Sequence, residues 1–535
     1  MPPLALLVAA PPLALLAVGL VPTQFAARHP RGMRQTVSLL AALTLAAAAA
    51  AAWLLASGGP VDHAFWTAPD LPGLNLGVFF DSLAAVMTLL VAFVGVVIAR
   101  FSVRYLDGDP GQGRYYRWLA FTLGAVLLLV VSRNLVMFTA AWMLTSFGLH
   151  QLLLHYPDRP WAVWAARKKF LISRLGDAFL IAALALTFWH FGSTDYTAIF
   201  AEANALRAAG GTLDPVLPGI ALLFVLGAMT KSAQFPFHSW LPDTMESPTP
   251  VSALMHAGII NAGGFLVIRL SPLVTLSHVA LDILAVVGAV TALFGGLVML
   301  SQTSIKRALA FSTIAQMGFM MLQCGLGAFS AALLHIVAHS LYKAHAFLAT
   351  GSVLDAAARL KTDARPTLSG LAALLMLPVA LGIALATGAA ALGIAQIDLA
   401  NKAGGIVLGI VMVVAITTLV WHGLVSGSVR LALGSIAGGA IVSGVYLAGF
   451  LAFDKLLASS AVARDSLPPS SVDLAVSGLV VVGFLGVFAI QVAASWMSRL
   501  PSVRALYVHA ANGFYCDVPA RQITARAWGL TTPVP

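Results

Sequence analysis

The stretch TKSAQFPFHSWLPDTMESPTPVSALMHAG, Thr230 to Gly258, decides how the rest of the 535-residue chain is read. Lys231 closes an apolar run, IALLFVLGAMT, with no acidic residue beside it in sequence. Pro236, Pro242, Pro248 and Pro250 then interrupt what would otherwise continue as helix, and His256 stands in the apolar stretch that follows. Proline removes a backbone donor and clashes with the preceding turn, so this spacing predicts a broken helix, with Pro236 and Pro242 at the break. Irregular backbone at membrane depth is tolerated where it is buried in protein or lines a water-filled cavity, and broken helices carry ion sites in transporters. A lysine in such a setting marks a functional site if the surroundings are a membrane.

Composition says that they are. Hydrophobic residues make up 60% of the chain and charged residues 9%, against roughly 25% charged in soluble domains. Such a chain cannot cover a water-facing surface, so it is an all-α polytopic membrane protein. In a soluble protein the net charge of +10 would suggest a nucleic-acid partner; here it is distributed loop by loop. Cys324 and Cys516 are the only cysteines, too far apart for a metal-ligand motif or a disulfide framework. The start, MPPLALLVAA, lacks a charged n-region and is expected to be a first helix rather than a cleaved signal.

About 20 mostly apolar residues cross a bilayer. That criterion predicts about fifteen spans, near 1–21, 36–56, 78–100, 118–132, 135–155, 170–191, 217–235, 251–270, 279–300, 308–325, 329–353, 371–393, 405–424, 433–453 and 472–495. They group into N-terminal helices (1–74), a core (75–370), C-terminal helices (371–496) and an amphipathic tail (497–535). With the N-terminus outside, one set of loops and the tail hold 21 of the 30 basic residues: Arg28, Arg31 and Arg34; Arg100, Arg104, Arg114 and Arg117; Arg159, Arg167, Lys168 and Lys169; Lys306 and Arg307; Arg359, Lys361 and Arg365; Arg430; and Arg499, Arg504, Arg521 and Arg526. The opposite loops hold Arg133, Arg207, Lys402, Lys455 and Arg464. The positive-inside rule therefore predicts an outside N-terminus and a cytoplasmic C-terminus. The tail reads either as an interfacial segment or as a docking strip for a partner, with Arg504, Phe514, Tyr515 and Arg521 as its candidates.

Lys231 and Lys343 fall deep inside spans, where neither side chain reaches a headgroup easily. An amine taken out of water can exchange protons, although a structural lysine held by one carboxylate is the simpler alternative. The run HIVAHSLYKAHAF places His335, His339 and Lys343 at four-residue steps on one helix face. Imidazoles exchange protons near neutral pH, so with His256 the stripe reads as a proton relay. A zinc site is the rival, disfavoured because no acidic or cysteine ligand is near and Lys343 would repel a cation. His150 and His422 are expected to be packing residues. Arg174 and Asp177 can pair at i, i+3, with Asp177 a candidate counter-charge for Lys231. Asp81 reads as a helix cap at the interface. Lys306 is either a loop charge or a third relay lysine.

These segments resemble the large proton-translocating subunits of respiratory complex I, of the L type, and of Mrp-type cation/proton antiporters. The resemblance covers roughly residues 75–355 and rests on the Lys231 stretch, KKFLISRLGDAF, SQTSIKRALAFSTIAQMGFM and HIVAHSLYKAHAFLATGSV. It implies two inverted five-helix bundles with broken helices, and a central hydrophilic axis at Lys231, His256, Lys306, His335, His339 and Lys343. The chain departs from that family in three places. Met143 follows Trp142 where complex I subunits carry a glutamate; 371–424 contains no lysine but Lys402; and no long C-terminal lateral helix has a counterpart. A shortened member with a tail like NGFYCDVPAR resembles the membrane subunit of DAB-type inorganic-carbon accumulation complexes. That resemblance implies no cofactor in this chain, a bacterial inner-membrane location, and a large soluble DabA-like zinc protein that hydrates carbon dioxide while this subunit, itself no enzyme, conducts protons or another monovalent cation. A redox-pump or antiporter subunit and a non-conducting membrane anchor remain as alternatives.

Overall fold

The computed structural model describes residues 3–69, 73–210, 213–352, 370–396, 398, 404–458, 460, 471–497 and 500–529. Arg359, Lys361, Arg365, Lys402, Arg464 and Arg499, the stretch before the expected boundary at 370, and the tail beyond 529 lie outside the described residues.

The chain begins with α1 (Pro3–Gly19), the short α2 (Thr23–Arg28) and α3 (Pro30–Gly58), then forms the hairpin β1 (Val61–Thr67) and β2 (Asn75–Phe80). There follow α4 (Ser82–Tyr105), α5 (Gln112–Val131), α6 (Leu135–Leu153), α7 (Pro160–Phe191), α8 (Tyr196–Ala209) and α9 (Val216–Lys231). Beyond the break come α10 (Thr249–Ala257), α11 (Ala262–Arg269), α12 (Ser271–Val274), α13 (His278–Leu300), α14 (Ile305–Gly325) and α15 (Phe329–Leu348). The C-terminal part holds α16 (Leu371–Ala395), α17 (Gly405–Val425), α18 (Val429–Leu457), α19 (Ser471–Met497), and the tail helices α20 (Pro501–Ala511) and α21 (Val518–Ala527). Twelve membrane-length apolar helices are present among the described residues. The other expected spans are the shorter apolar α1 and α9 and the histidine-bearing α15. The antiparallel hairpin is an addition that alternation within a membrane protein did not suggest.

The break expected after Lys231 is there. Two 3-10 turns, Phe237–Trp240 and Pro242–Glu246, replace helix until Thr249, and Ala233 takes the left-handed backbone (φ 50°) that redirects the chain. A second irregular turn, Ile259–Asn261, separates α10 from α11. α16 and α17 each run as one helix, Pro378 notwithstanding.

Side-to-side alternation can be tested by which loops touch. At one end of the bundle, Arg133 pairs with Asp62 of the hairpin and Asp195 before α8 (2.5 and 2.9 Å), and Arg207 donates to the Pro272 carbonyl (2.7 Å). At the other end, Arg117 donates to the Gly19 carbonyl, Arg159 pairs with Glu246, and Gln302 donates to the Ala511 carbonyl. Each contact joins loops expected on one side. Lys168 and Lys169 are a correction: α7 starts at Pro160, ten residues before the expected 170, so both lysines lie within the helix and are buried rather than in a loop.

Asp81 does cap α4, accepting from the Ala84 N–H at 3.0 Å. It also takes both terminal nitrogens of Arg269 at 2.8 and 2.9 Å, in a pair that is 1% exposed on each side. The guanidinium lies between the rings of Phe79 and Phe265. Removing one partner leaves an uncompensated buried charge, a loss of about 3–5 kcal/mol. Arg269→Met is therefore expected to lower the unfolding temperature of the detergent-solubilised protein steeply, whereas the Asp81→Asn, Arg269→Met double variant recovers much of the loss.

Candidate proton-path site

The site is built where α7 and α9 come closest. A Cβ on Gly176 would sit 2.1 Å from Thr230 Oγ1, and one on Gly227 2.1 Å from Leu180 Cδ1. The missing side chains let the backbones approach, which sets Asp177 opposite the residue that ends α9. That residue is Lys231, about 20 Å along the helix at 1.5 Å per residue. Its amine donates to Thr145 Oγ1 and Ser146 Oγ (both 2.7 Å) and to the Trp142 carbonyl (3.1 Å). The Trp142 ring centroid lies 4.5 Å from the amine. Met143, at the position where a glutamate was expected in complex I subunits, is half-buried and supplies no charge. The Trp142 carbonyl just before it and the hydroxyls of Thr145 and Ser146 just after it do the binding instead.

Lys169 joins the same serine, donating to the Ser146 carbonyl at 2.5 Å. The charge of Asp177 acts on both Lys231 and Lys169, and Asp177 itself pairs with Arg174 (2.6 Å) as expected at i, i+3. Among the described residues, three cationic side chains thus face one carboxylate. The two amines among them share that counter-charge rather than each holding a carboxylate of its own.

The second group is on α10, α14 and α15. Lys343 is fully buried and donates to the Leu309 carbonyl (3.1 Å), which Thr313 Oγ1 also reaches (3.0 Å). His256 Nδ1 lies 3.0 Å from that hydroxyl, with its ring stacked on Phe347. His335 and His339 have ring centroids 6.1 Å apart. Their stripe with Lys343 is the expected one. His256 Nε2, His335 Nε2, both nitrogens of His339 and Asn261 Oδ1 have no hydrogen-bond partner in the protein among the described residues. Buried polar groups of this kind call for water, so the row suits a hydrated proton wire. No cluster of three or more metal-ligating side chains occurs among the described residues.

Other expected residues stand apart. Lys306 is half-exposed in the first turn of α14, and His345 is exposed. In the tail, Arg504 and Tyr515 are exposed, but Phe514 packs toward Phe294 (6.1 Å) and Arg521 holds Asp517 (2.6 Å). Asp517 in turn binds Lys168, which also binds Asp243 at 3.0 Å. Burial works against the Asp517 carboxylate, but Lys168 and Arg521 outweigh it and hold the group below the usual aspartate range. Any stability it lends is thus complete at neutral pH and is lost only as pH falls through that lowered value. Sequence reasoning missed Lys168, Lys169, Asp243 and Asp517. The available signal was Pro160, a residue suited to the first turn of a helix, which would have drawn both lysines into α7.

Residues 132–392 match the family model described as NADH:quinone oxidoreductase/Mrp antiporter, TM, and residues 66–116 match complex I chain 5 N-terminus. The chain is 40% identical to a "Probable inorganic carbon transporter subunit DabB2" of Halothiobacillus neapolitanus, an alignment covering 98% of this chain and 94% of that one. The chain belongs to the DabB family of inorganic carbon transporter subunits, within the complex I and Mrp antiporter-like group. A "Probable inorganic carbon transporter subunit DabB" of Hydrogenovibrio crunogenus is 42% identical over 54% of this chain and 55% of its own length. Among solved structures, the Mrp complex from Dietzia sp. DQ12-45-1b aligns with TM-score 0.67 and 25% identity over 98% of this chain and 59% of that chain. Members are membrane transport subunits, so the multi-pass, antiporter-like reading of the sequence stands.

The glycine contact makes a signed prediction. Gly176→Ala forces α7 from α9 and is expected to destabilise by about 1–3 kcal/mol. Gly219→Ala, on α9 and with open space around its Cβ, is expected to be neutral or stabilising. Unfolding temperatures of the two solubilised variants check the contrast.

Proposed function

We propose that this chain is the membrane subunit of an energy-coupled inorganic-carbon accumulation complex, oriented with its N-terminus outside in a bacterial inner membrane. It conducts protons past Lys169, Lys231, His256, Lys343, His339 and His335, with Asp177 and Arg174 setting the charge and Lys306 at the tail-side end of α14. The observation that carries the reading is Lys231 itself: an amine buried at a helix break, held by hydroxyls and a carbonyl rather than by a carboxylate of its own. Such an amine has partners in either protonation state, since a hydroxyl both donates and accepts.

The relatives' names supply the cargo, inorganic carbon. Carbon dioxide hydration releases a proton, so moving protons away from the reaction draws it toward bicarbonate. The hydration chemistry belongs to a soluble carbonic-anhydrase-like zinc subunit of DabA type, with the zinc held there and no cofactor required here. The exposed tail residues Arg504 and Tyr515 are its docking points; Phe514 and Arg521 face inward and serve the tail's own packing.

An antiporter reading has one observation in its favour, the similarity to an Mrp complex; it predicts sodium-sensitive growth on deletion. Under the proton-path reading, Lys231→Ala or Lys343→Ala abolishes inorganic-carbon accumulation in cells while the complex still assembles. Normal accumulation in both variants would leave only a non-conducting anchor. Co-purification checks the partner: a zinc-containing soluble subunit should elute with this one.

A further inference from the structure

The tail-side end of the α7–α9 pair carries a charge cluster that the lysine–histidine row does not include. Lys168, whose side chain is 1% exposed, bridges Asp243 in the second 3-10 turn of the break and Asp517 in the tail, and Arg521 closes the cluster on Asp517. Two cations and two anions balance here, but they come from α7, the helix break and the far C-terminal segment.

What this segment covers gives the cluster meaning. His238, in the first 3-10 turn, is 2% exposed and its Nδ1 has no partner in the protein among the described residues. The charges of Asp517 and Lys168 both act on it. Phe294 meets the His238 ring edge-on at 4.7 Å, and Phe514 of the tail lies 6.1 Å from Phe294 on the tail side. Lys169 follows Lys168 directly and reaches the serine that also binds Lys231. The same short stretch of tail therefore binds the lysine that precedes Lys169 on α7 and packs, through Phe514 and Phe294, toward an imidazole with an unpartnered nitrogen.

The stretch is also conformationally forced. Gly513, Phe514 and Tyr515 all have positive φ (60°, 50° and 59°), a backbone that two of these three residue types rarely adopt. Such strain persists where the surroundings over-determine it and clusters at clamps and switches.

We propose that residues 513–521 form a latch over the tail-side mouth of the proton path, and that His238 and Lys169 gain access to bulk water only when Asp517 parts from Lys168. This rests on the proton-conducting reading above. The docked state is the closed one.

The test uses the complex purified with its native partners and reconstituted in liposomes. Cys516 lies next to Asp517, and Cys324 is fully buried, so a water-soluble maleimide followed by mass spectrometry of the Cys516 peptide reports release of the segment. An entrapped pH dye reports proton permeability. Asp517→Asn is expected to label several-fold faster and to raise proton permeability several-fold; Asp517→Glu stays close to wild type in both. Adding Lys231→Ala to Asp517→Asn should return permeability to the wild-type level. Phe514→Ala, which leaves every charge in place, is the second way to loosen the latch if Asp517→Asn does not assemble, and it should move both readouts in the same direction. Unchanged labelling overturns the latch, as does faster labelling at wild-type permeability. The two proposals fail differently: Lys231→Ala with intact carbon accumulation removes the path itself, whereas loss of accumulation in Lys231→Ala beside an inert Asp517→Asn removes only the latch.

Discussion

An ammonium taken from water into a membrane protein loses its hydration, and something must replace that loss or the proton leaves. At Lys231 the replacement comes from the Trp142 carbonyl, Thr145 and Ser146, assisted by an aromatic face. A carboxylate in direct contact would fix the charge; two hydroxyls and a carbonyl accommodate it without fixing it. Much of the surrounding architecture follows from keeping this amine where it is. The helix must stop at Lys231, the neighbouring helices must come close, and a nearby carboxylate, Asp177, must be held on α7.

Those requirements explain features that look unrelated in the chain. Gly176 and Gly227 remove the side chains that would separate α7 from α9, and they stand within five residues of Asp177 and Lys231. The 3-10 turns after Lys231 cannot satisfy their backbone as a helix does, so they are buried against protein. Ser232 donates to the Ile260 carbonyl at 2.6 Å and Asn261 to Ser340 at 2.8 Å, which ties the first break to the second. The break thereby joins the Lys231 cluster to the helix that carries His339 and Lys343. At its far end, through Asp243, it meets Lys168 and the tail.

The sequence made the helices legible because period and length suffice for apolar spans, and it made the break legible because four prolines follow one lysine. The His335, His339 and Lys343 stripe was legible for a similar reason: side chains four apart share a helix face whatever packs against them. Pairings across the bundle were not legible. Asp81 could be read as a cap, yet its larger partner is Arg269, 188 positions away. Nor could Met143 reveal that Thr145 and Ser146, two and three residues further on, take over from the missing carboxylate. Lys168 and Lys169 were misplaced because a basic pair beside an apolar run looks like a loop end. Only burial by other helices and by the returning tail distinguishes it from one. The hairpin escaped notice because its strands are only 7 and 6 residues long and lie between membrane-length helices.

The account turns on whether protons move past Lys231. The direct measurement is proton flux into liposomes containing the purified complex, in sodium-free medium with carbon dioxide supplied, read by an entrapped pH dye under an imposed membrane potential. A path through Lys231 predicts flux in the wild type that falls by more than ~10-fold in Lys231→Met, with the complex still assembled. Flux that is unchanged in Lys231→Met, or that arises only when sodium is present, would contradict it.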